Sequence, residues 1–221
     1  MRALVAALPE IGRLYGAVVV VVAGPCVLEP GPLGEAFAED LALLRYHGAR
    51  PVVVHDAGAE PVAPYPGEDR VTALRRVTAG LVQPRLVGRV NAHGPLAVGI
   101  TGEDGGTLTR TASGDLVADT GVLRVLLADG RIPVVAALTA GPGGVRPADP
   151  EATARLLATE LAARLLLLPA TVQDPAPAGA TPLDTAVPHA LLRTVYGLDG
   201  HPGGLPGPRQ TAESPTAGPV P

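Results

Sequence analysis

The stretch Ala17–Gly58, AVVVVVAGPCVLEPGPLGEAFAEDLALLRYHGARPVVVHDAG, decides the fold. Val18 to Val22 are five consecutive β-branched residues that break into Ala23-Gly24-Pro25, and Pro51 to His55 repeat the pattern before Asp56-Ala57-Gly58. Runs this short and apolar on both faces suit buried parallel strands. Between them Leu33, Phe37, Leu41 and Leu44 share one helical face, and Gly48 stands where that helix would stop. Parallel strands joined by a helix cross over right-handed and bind ligands beyond their C-terminal ends. The turns at Gly24 and Gly58 are therefore where chemistry is expected.

Outward from this unit, further elements follow. Leu4–Tyr15 reads as a helix leading into the first strand, and a polar loop spans Ala59–Asp69. A helix from Val71 carries Leu74, Val77, Leu81 and Val82, with Pro84 expected to kink or split it before Val90. Leu96–Thr101 and Ile132–Leu138 read as core strands, Leu108–Val117 as a short hairpin or an edge segment, and Gly121–Ala128 as a helix stopped by Gly130. Asp149-Pro150-Glu151 is a helix start, with Asp as N-cap and Pro at the first position; that helix is expected to reach Arg164 and lead to a strand at Leu165–Leu168. The domain plan is an α/β body over 1–168, a Pro/Ala-rich linker over 169–186, a helical fragment over 187–200, and a disordered tail over 201–221.

Composition narrows the function. The chain is 47% hydrophobic but 2% aromatic, so its core is built from Val, Leu and Ala. A net charge of -4 without a basic run excludes nucleic acid and anionic membrane as expected partners. No apolar run is long enough to span a bilayer, and the apolar run after Arg2 stops too early, at Pro9-Glu10, for a signal peptide; a cytoplasmic protein is expected. Cys26 is the single cysteine, which excludes an internal disulfide and multi-cysteine metal sites, and it is expected to be a small buried filler. All 17 basic residues are arginine, so no lysine chemistry is open to this chain. A P-loop, which ends in Gly-Lys, is thereby excluded; no G-x-G-x-x-G follows the first strand, neither Ser113 nor Ser214 sits in a nucleophile elbow, and no metal site is expected.

The order of motifs, ALPEIGRLYG, the valine strand with Ala23-Gly24, ARPVVVHDAG, Arg70-Val71-Thr72, AVGITGEDG, LRVLLADGRIPVVAAL, Ala148-Asp149 and VPHALL, resembles the amino-acid kinase family, and within it the acetylglutamate kinases. The resemblance implies an open αβα sandwich with a mainly parallel sheet, often a homodimer. Its N-terminal part would bind an N-acylated acidic amino acid and its C-terminal part ATP with Mg. The family reaction phosphorylates the side-chain carboxylate of N-acetyl-L-glutamate in arginine biosynthesis. Phosphoryl transfer of this kind rests on positioning and charge neutralisation.

Set beside the family pattern, the chain departs where that chemistry sits. The Lys-x-Gly-Gly after the first strand reads Val22-Ala23-Gly24-Pro25, leaving Gly24 as a phosphate-loop remnant, and three glycines after the second strand read Asp56-Ala57-Gly58. Arg70, with Ala57 and Gly58, matches the substrate-binding positions; a solvated helix-start arginine is an equal reading of Arg70. Asp149 matches the aspartate that organises the catalytic lysines, but Asp149-Pro150-Glu151 already explains itself as a helix cap, the plainer reading. His55 is read as a structural histidine, with a His55–Asp56 acid/base pair as the other reading. Much of the nucleotide lobe is expected to be truncated. The expectation is an impaired or inactive homologue that still binds a ligand; the others are an active kinase in which arginines such as Arg146 replace lysines, and a partner subunit of a full-length kinase.

Overall fold

The computed structural model describes residues 2–170 and 179–197. The expected tail over 201–221 lies outside the described residues, as does the middle of the expected linker. Helix α1 (Arg2–Leu14) leads into strand β1 (Val18–Val22), followed by a single turn α2 (Pro25–Leu28), α3 (Pro32–Tyr46) and β2 (Arg50–His55). Then come α4 (Arg70–Val77), α5 (Gln83–Asn91), β3 (Ala97–Thr101), the hairpin β4 (Leu108–Arg110) and β5 (Leu116–Ala118), and α6 (Gly121–Ala128). The chain continues through β6 (Ile132–Ala136), β7 (Leu138–Thr139), β8 (Arg146–Pro147), α7 (Pro150–Glu160), β9 (Leu165–Pro169), β10 (Thr181–Leu183) and α8 (Ala190–Tyr196).

Six strands form one sheet in the order β10-β9-β1-β2-β6-β3, every pair parallel. The valine strand lies inside it, with Val19 opposite both Pro51 and Leu165. Period-2 alternation sends Val19, Val21 and Val53 to one face, where Leu41, Leu44, Leu86 and Leu191 cover them. Val20, Val22, Val52 and Val54 go to the other, under Leu123 and Leu157. Both faces are buried, which is why these strands show no polar alternation. This is the expected αβα sandwich.

The element boundaries follow local chemistry. Gly48 ends α3 at φ +92, a conformation that costs glycine little. A π-turn over Thr78–Val82 separates α4 from α5, with the Gln83 N–H donating to the Thr78 carbonyl. It widens the ladder just ahead of Pro84, whose ring would otherwise meet the carbonyl of Gly80. The expected split is therefore a π-turn. Helix α7 stops at Glu160 rather than near Arg164, because Ala162 adopts a left-handed φ of +49 and turns the chain back.

Three sequence expectations need correction. The 169–186 span, read as linker, contributes β10, which pairs with β9 and buries Leu183 completely. The body thus continues past 168, and α8 docks on it through buried Leu191 and Val195. Short β10 inside a Pro/Ala-rich stretch has no periodicity to announce it. Cys26 is exposed, because it sits on the outer side of the one-turn α2.

Candidate functional site

Two turns meet at the C-terminal rim of the sheet. At the first, Gly24 is extended (φ -70, ψ 166), so its backbone asks for no glycine; space does. A Cβ there would lie 3.0 Å from Thr185 Oγ1 and 3.3 Å from Pro169 Cγ. Pro25 follows and has no N–H to offer an anion. The turn α2 is pinned from α5: Arg89 donates to the carbonyls of Val27 (3.1 Å) and Glu29 (2.8 Å) and its Nε lies 3.1 Å from Glu35. Arg85 donates to Glu60 at 2.8 Å and reaches the Leu28 carbonyl at 3.4 Å.

At the second turn, Gly58 is left-handed (φ +60), and its missing Cβ faces Leu28 Cδ1 at 3.1 Å. Gly24 caps α2 and Gly58 packs on its last residue, so the structure brings these two together. Asp56 folds over the turn: its Oδ1 accepts the Gly58 N–H at 2.8 Å. An aspartate two residues before a glycine makes this local bond readily, and it engages a backbone donor at the rim. Ala57 packs inward against the core.

His55 is fully buried, and burial pushes its imidazole below the ordinary value. Its Nδ1 lies 2.8 Å from the Asp56 carbonyl oxygen, while its Nε2 is buried without a partner. The Asp56 carboxylate is turned to Gly58, so no acid/base pair forms and the structural reading of His55 stands.

The remaining site residues stand apart. Arg70 is exposed on the first turn of α4, behind Asp69, which caps the helix by accepting from the N–H groups of Val71 (2.8 Å) and Thr72 (2.9 Å). Those bonds hold the Asp69 carboxyl below the usual range. Asp149 is exposed and caps α7, accepting from Glu151 N at 3.1 Å and Ala152 N at 3.4 Å. No hydrogen bond or ion pair among the described residues ties Arg70 or Asp149 to the two turns. Arg146, expected as a lysine substitute, is exposed on β8 and lines with Arg110 a pocket of about 200 Å³ that includes neither Gly24 nor Gly58.

Sequence reasoning missed Arg85, Arg89, Leu28 and Thr185, which close the rim. Arg85 and Arg89 stand four apart on one face of α5, the only local signal they give. For a nucleotide triphosphate with its metal, the donor set does not fit: Gly24 faces Thr185 and Pro169, Pro25 lacks an N–H, and Arg89 is committed to three oxygens. Among the described residues no cluster of three or more His, Cys, Asp or Glu is arranged to hold a metal ion, and no helix is long and apolar enough to cross a membrane.

Comparison with known proteins places this geometry. Curated acetylglutamate kinases are similar: that of Streptomyces coelicolor is 38% identical over 197 residues, covering 75% of this chain and 64% of its own, and that of Nocardioides sp. 37% identical over 198 residues, covering 76% and 64%. The chain therefore spans a little under two thirds of the length of the curated relatives it matches. Among solved structures, N-acetylglutamate synthase from Neisseria gonorrhoeae, complexed with coenzyme A and N-acetyl-glutamate, superposes with a TM-score of 0.61 at 23% identity, over 90% of this chain and 55% of that one. An isopentenyl phosphate kinase superposes at 0.58 and 14% identity, over 81% and 96%. Both share the fold. The model of the amino acid kinase family matches residues 17–173, and the chain belongs to that family.

Proposed function

We propose that this chain is an acetylglutamate-kinase-like protein that binds an N-acylated acidic amino acid at the rim between Gly58 and Arg70 and does not transfer phosphate. The observation that carries the reading is the Asp56 carboxylate seated on the Gly58 N–H at 2.8 Å. It sets a negative charge where an anionic substrate has to approach and engages a donor that backbone recognition would use. The first turn offers no compensation: no lysine exists in the chain, no arginine lies between Ala17 and Leu44, and the two arginines that α5 brings there are engaged by Val27, Glu29, Glu35 and Glu60. A cation about 4 Å from a phosphoryl oxygen at an effective dielectric near 20 contributes about 4 kcal/mol. Its loss alone corresponds to roughly a thousandfold in rate.

Support for the binding half comes from the kinship with acetylglutamate kinases and from exposed, unengaged Arg70, whose fork suits a carboxylate. Calorimetry against N-acetylglutamate, paired with a coupled assay for ATP-dependent acyl-phosphate formation, tests both parts. Weak saturable binding without turnover is expected, with Asp56→Gly tightening binding about tenfold. Turnover above background overturns the non-catalytic reading, and absence of binding in both proteins overturns the ligand.

A further inference from the structure

A cavity of about 460 Å³ lies at the opposite, N-terminal edge of the sheet, where Arg50, Arg124 and Arg164 line it together with Val18, Leu127 and Leu161. We propose that it is a binding site for a small phosphate-bearing molecule, separate from the rim at Gly24 and Gly58.

The arrangement follows from the register. Arg50 is the Cα partner of Val18, and the N–H of Arg164 donates to the Val18 carbonyl at 2.9 Å. Alternation puts Arg50 on the face of Val52 and Val54, and Arg164 on the face of Leu166 and Leu168, which is one and the same side of the sheet. Two guanidinium arms thus flank β1 at about two strand spacings, roughly 10 Å between backbones. Arg124 comes in from α6, its Nε on Thr120 Oγ1 at 3.1 Å and its Nη2 on the Glu160 carbonyl at 2.5 Å.

Charge sharpens the point. Elsewhere Arg13, Arg75, Arg76, Arg85, Arg89 and Arg131 each meet a carboxylate within 3.1 Å. None of the three cavity arginines does among the described residues, and no acidic side chain lines the space. At the end of α6 Asp129 pairs with Arg131 at 2.8 Å, and Glu160 meets Arg124 through its carbonyl. All three arginines are exposed, so the recess presents positive charge to solvent, and an anion entering it meets that charge from both flanks of β1. Left-handed Ala162 forms part of the same wall, and it is this reversal after α7 that carries Arg164 back beside β1.

The chemistry of the ligand follows from the spacing. A planar carboxylate satisfies one guanidinium fork, whereas a tetrahedral phosphate presents oxygens to forks arriving from two sides. The volume accommodates a body beyond the phosphate, against Leu127 and Leu161.

Pyrophosphate and inorganic phosphate are the probes, added to the 221-residue chain and followed by phosphorus NMR line broadening and calorimetry. Saturable binding is expected, weakened roughly tenfold or more by either Arg50→Gln or Arg164→Gln and lost in the double variant. Arg164→Lys, which keeps charge and stem, is expected to weaken it several-fold through loss of the fork. Arg146→Gln, in the other arginine-lined pocket, leaves it unchanged. N-acetylglutamate titrated into the same variants reports on the opposite rim, so failure of one site is distinguishable from failure of the other. No saturable binding by the wild-type chain, binding indifferent to Arg50 and Arg164, or succinate binding as tightly as pyrophosphate each overturns the proposal.

Discussion

Replacing Asp40 by alanine tests how α8 is held to the body. Asp40 on α3 is fully buried, yet its Oδ1 meets His189 Nδ1 at 2.8 Å and its Oδ2 accepts the Leu192 N–H at 3.2 Å. His189 is forced into a left-handed backbone (φ +56) at the start of α8, a posture this bond helps to hold. Removing the carboxylate leaves the half-buried Leu192 N–H without its acceptor, at about 1–3 kcal/mol, and frees a strained cap, offset in part by no longer burying a charge. A net loss of about 2–3 kcal/mol follows, or roughly 5–10 °C in melting temperature for a body of this size. Asp40→Asn keeps an acceptor and removes the charge, so it should melt within about 1 kcal/mol of wild type.

The pH dependence separates the two effects. Burial raises the Asp40 pKa above its ordinary value, with the His189 bond pulling it partly back. A carboxyl whose folded pKa is raised contributes stability that is present below its unfolded pKa and fades as pH rises through the folded one. Wild type should therefore gain stability from this group on acidification through that window, and Asp40→Asn should not. Circular dichroism melts across pH 4 to 8, roughly the range in which carboxyl and imidazole groups change charge, provide the readout. Asp40→Ala melting within about 2 °C of wild type, or Asp40→Asn melting as low as Asp40→Ala, refutes the reasoning.

Other perturbations have clear directions. His55, buried and lowered by desolvation, contributes stability above the usual imidazole range that is lost as pH falls through its depressed folded value; His55→Gln should flatten that acid limb in urea titrations. Gly102→Ala places a methyl group on the Leu138 carbonyl and on Leu108, and should cost about 3 kcal/mol in the same titration. Asp149→Ala removes the α7 cap at about 1 kcal/mol, and a much larger loss would show that the carboxylate does more than cap. Burial raises the Tyr196 phenol to about 12, with its OH 2.7 Å from His47 Nδ1, so an ultraviolet titration should lose its latest-ionising phenol step in Tyr196→Phe.

The sheet was legible because Val18–Val22 and Pro51–His55 are apolar on both faces, and only a doubly covered parallel sheet accommodates that. Helix limits were legible where a residue type enforces them, as at Gly48, Pro84 and Asp149. They were not at Ala162, an exposed residue without intrinsic preference for the left-handed region, beyond which the Ala163 N–H closes the helix end on the Ala158 carbonyl at 2.8 Å. Strand β10 escaped because three residues in a Pro/Ala-rich stretch carry no period. At the rim the loss of lysine and glycine was plain in the sequence, but what fills the space was not. Arg89 binding Val27 and Glu29, Thr185 facing Gly24, and Asp56 bonding Gly58 are two long-range contacts and one rotamer choice. The facing of Arg50 and Arg164 likewise needs the order β9-β1-β2, which no local signal supplies.

That strand order has a consequence during synthesis. The valine run finds its first neighbour as soon as Arg50–His55 leaves the ribosome, but its other edge waits for Leu165. Through most of translation a charge-free, strongly β-forming segment stands with a bare hydrogen-bonding edge, which is a template for joining neighbouring nascent chains. Yield in a cell should therefore depend on how fast the ribosome reaches the second partner, and slow codons between the two should favour inclusion bodies.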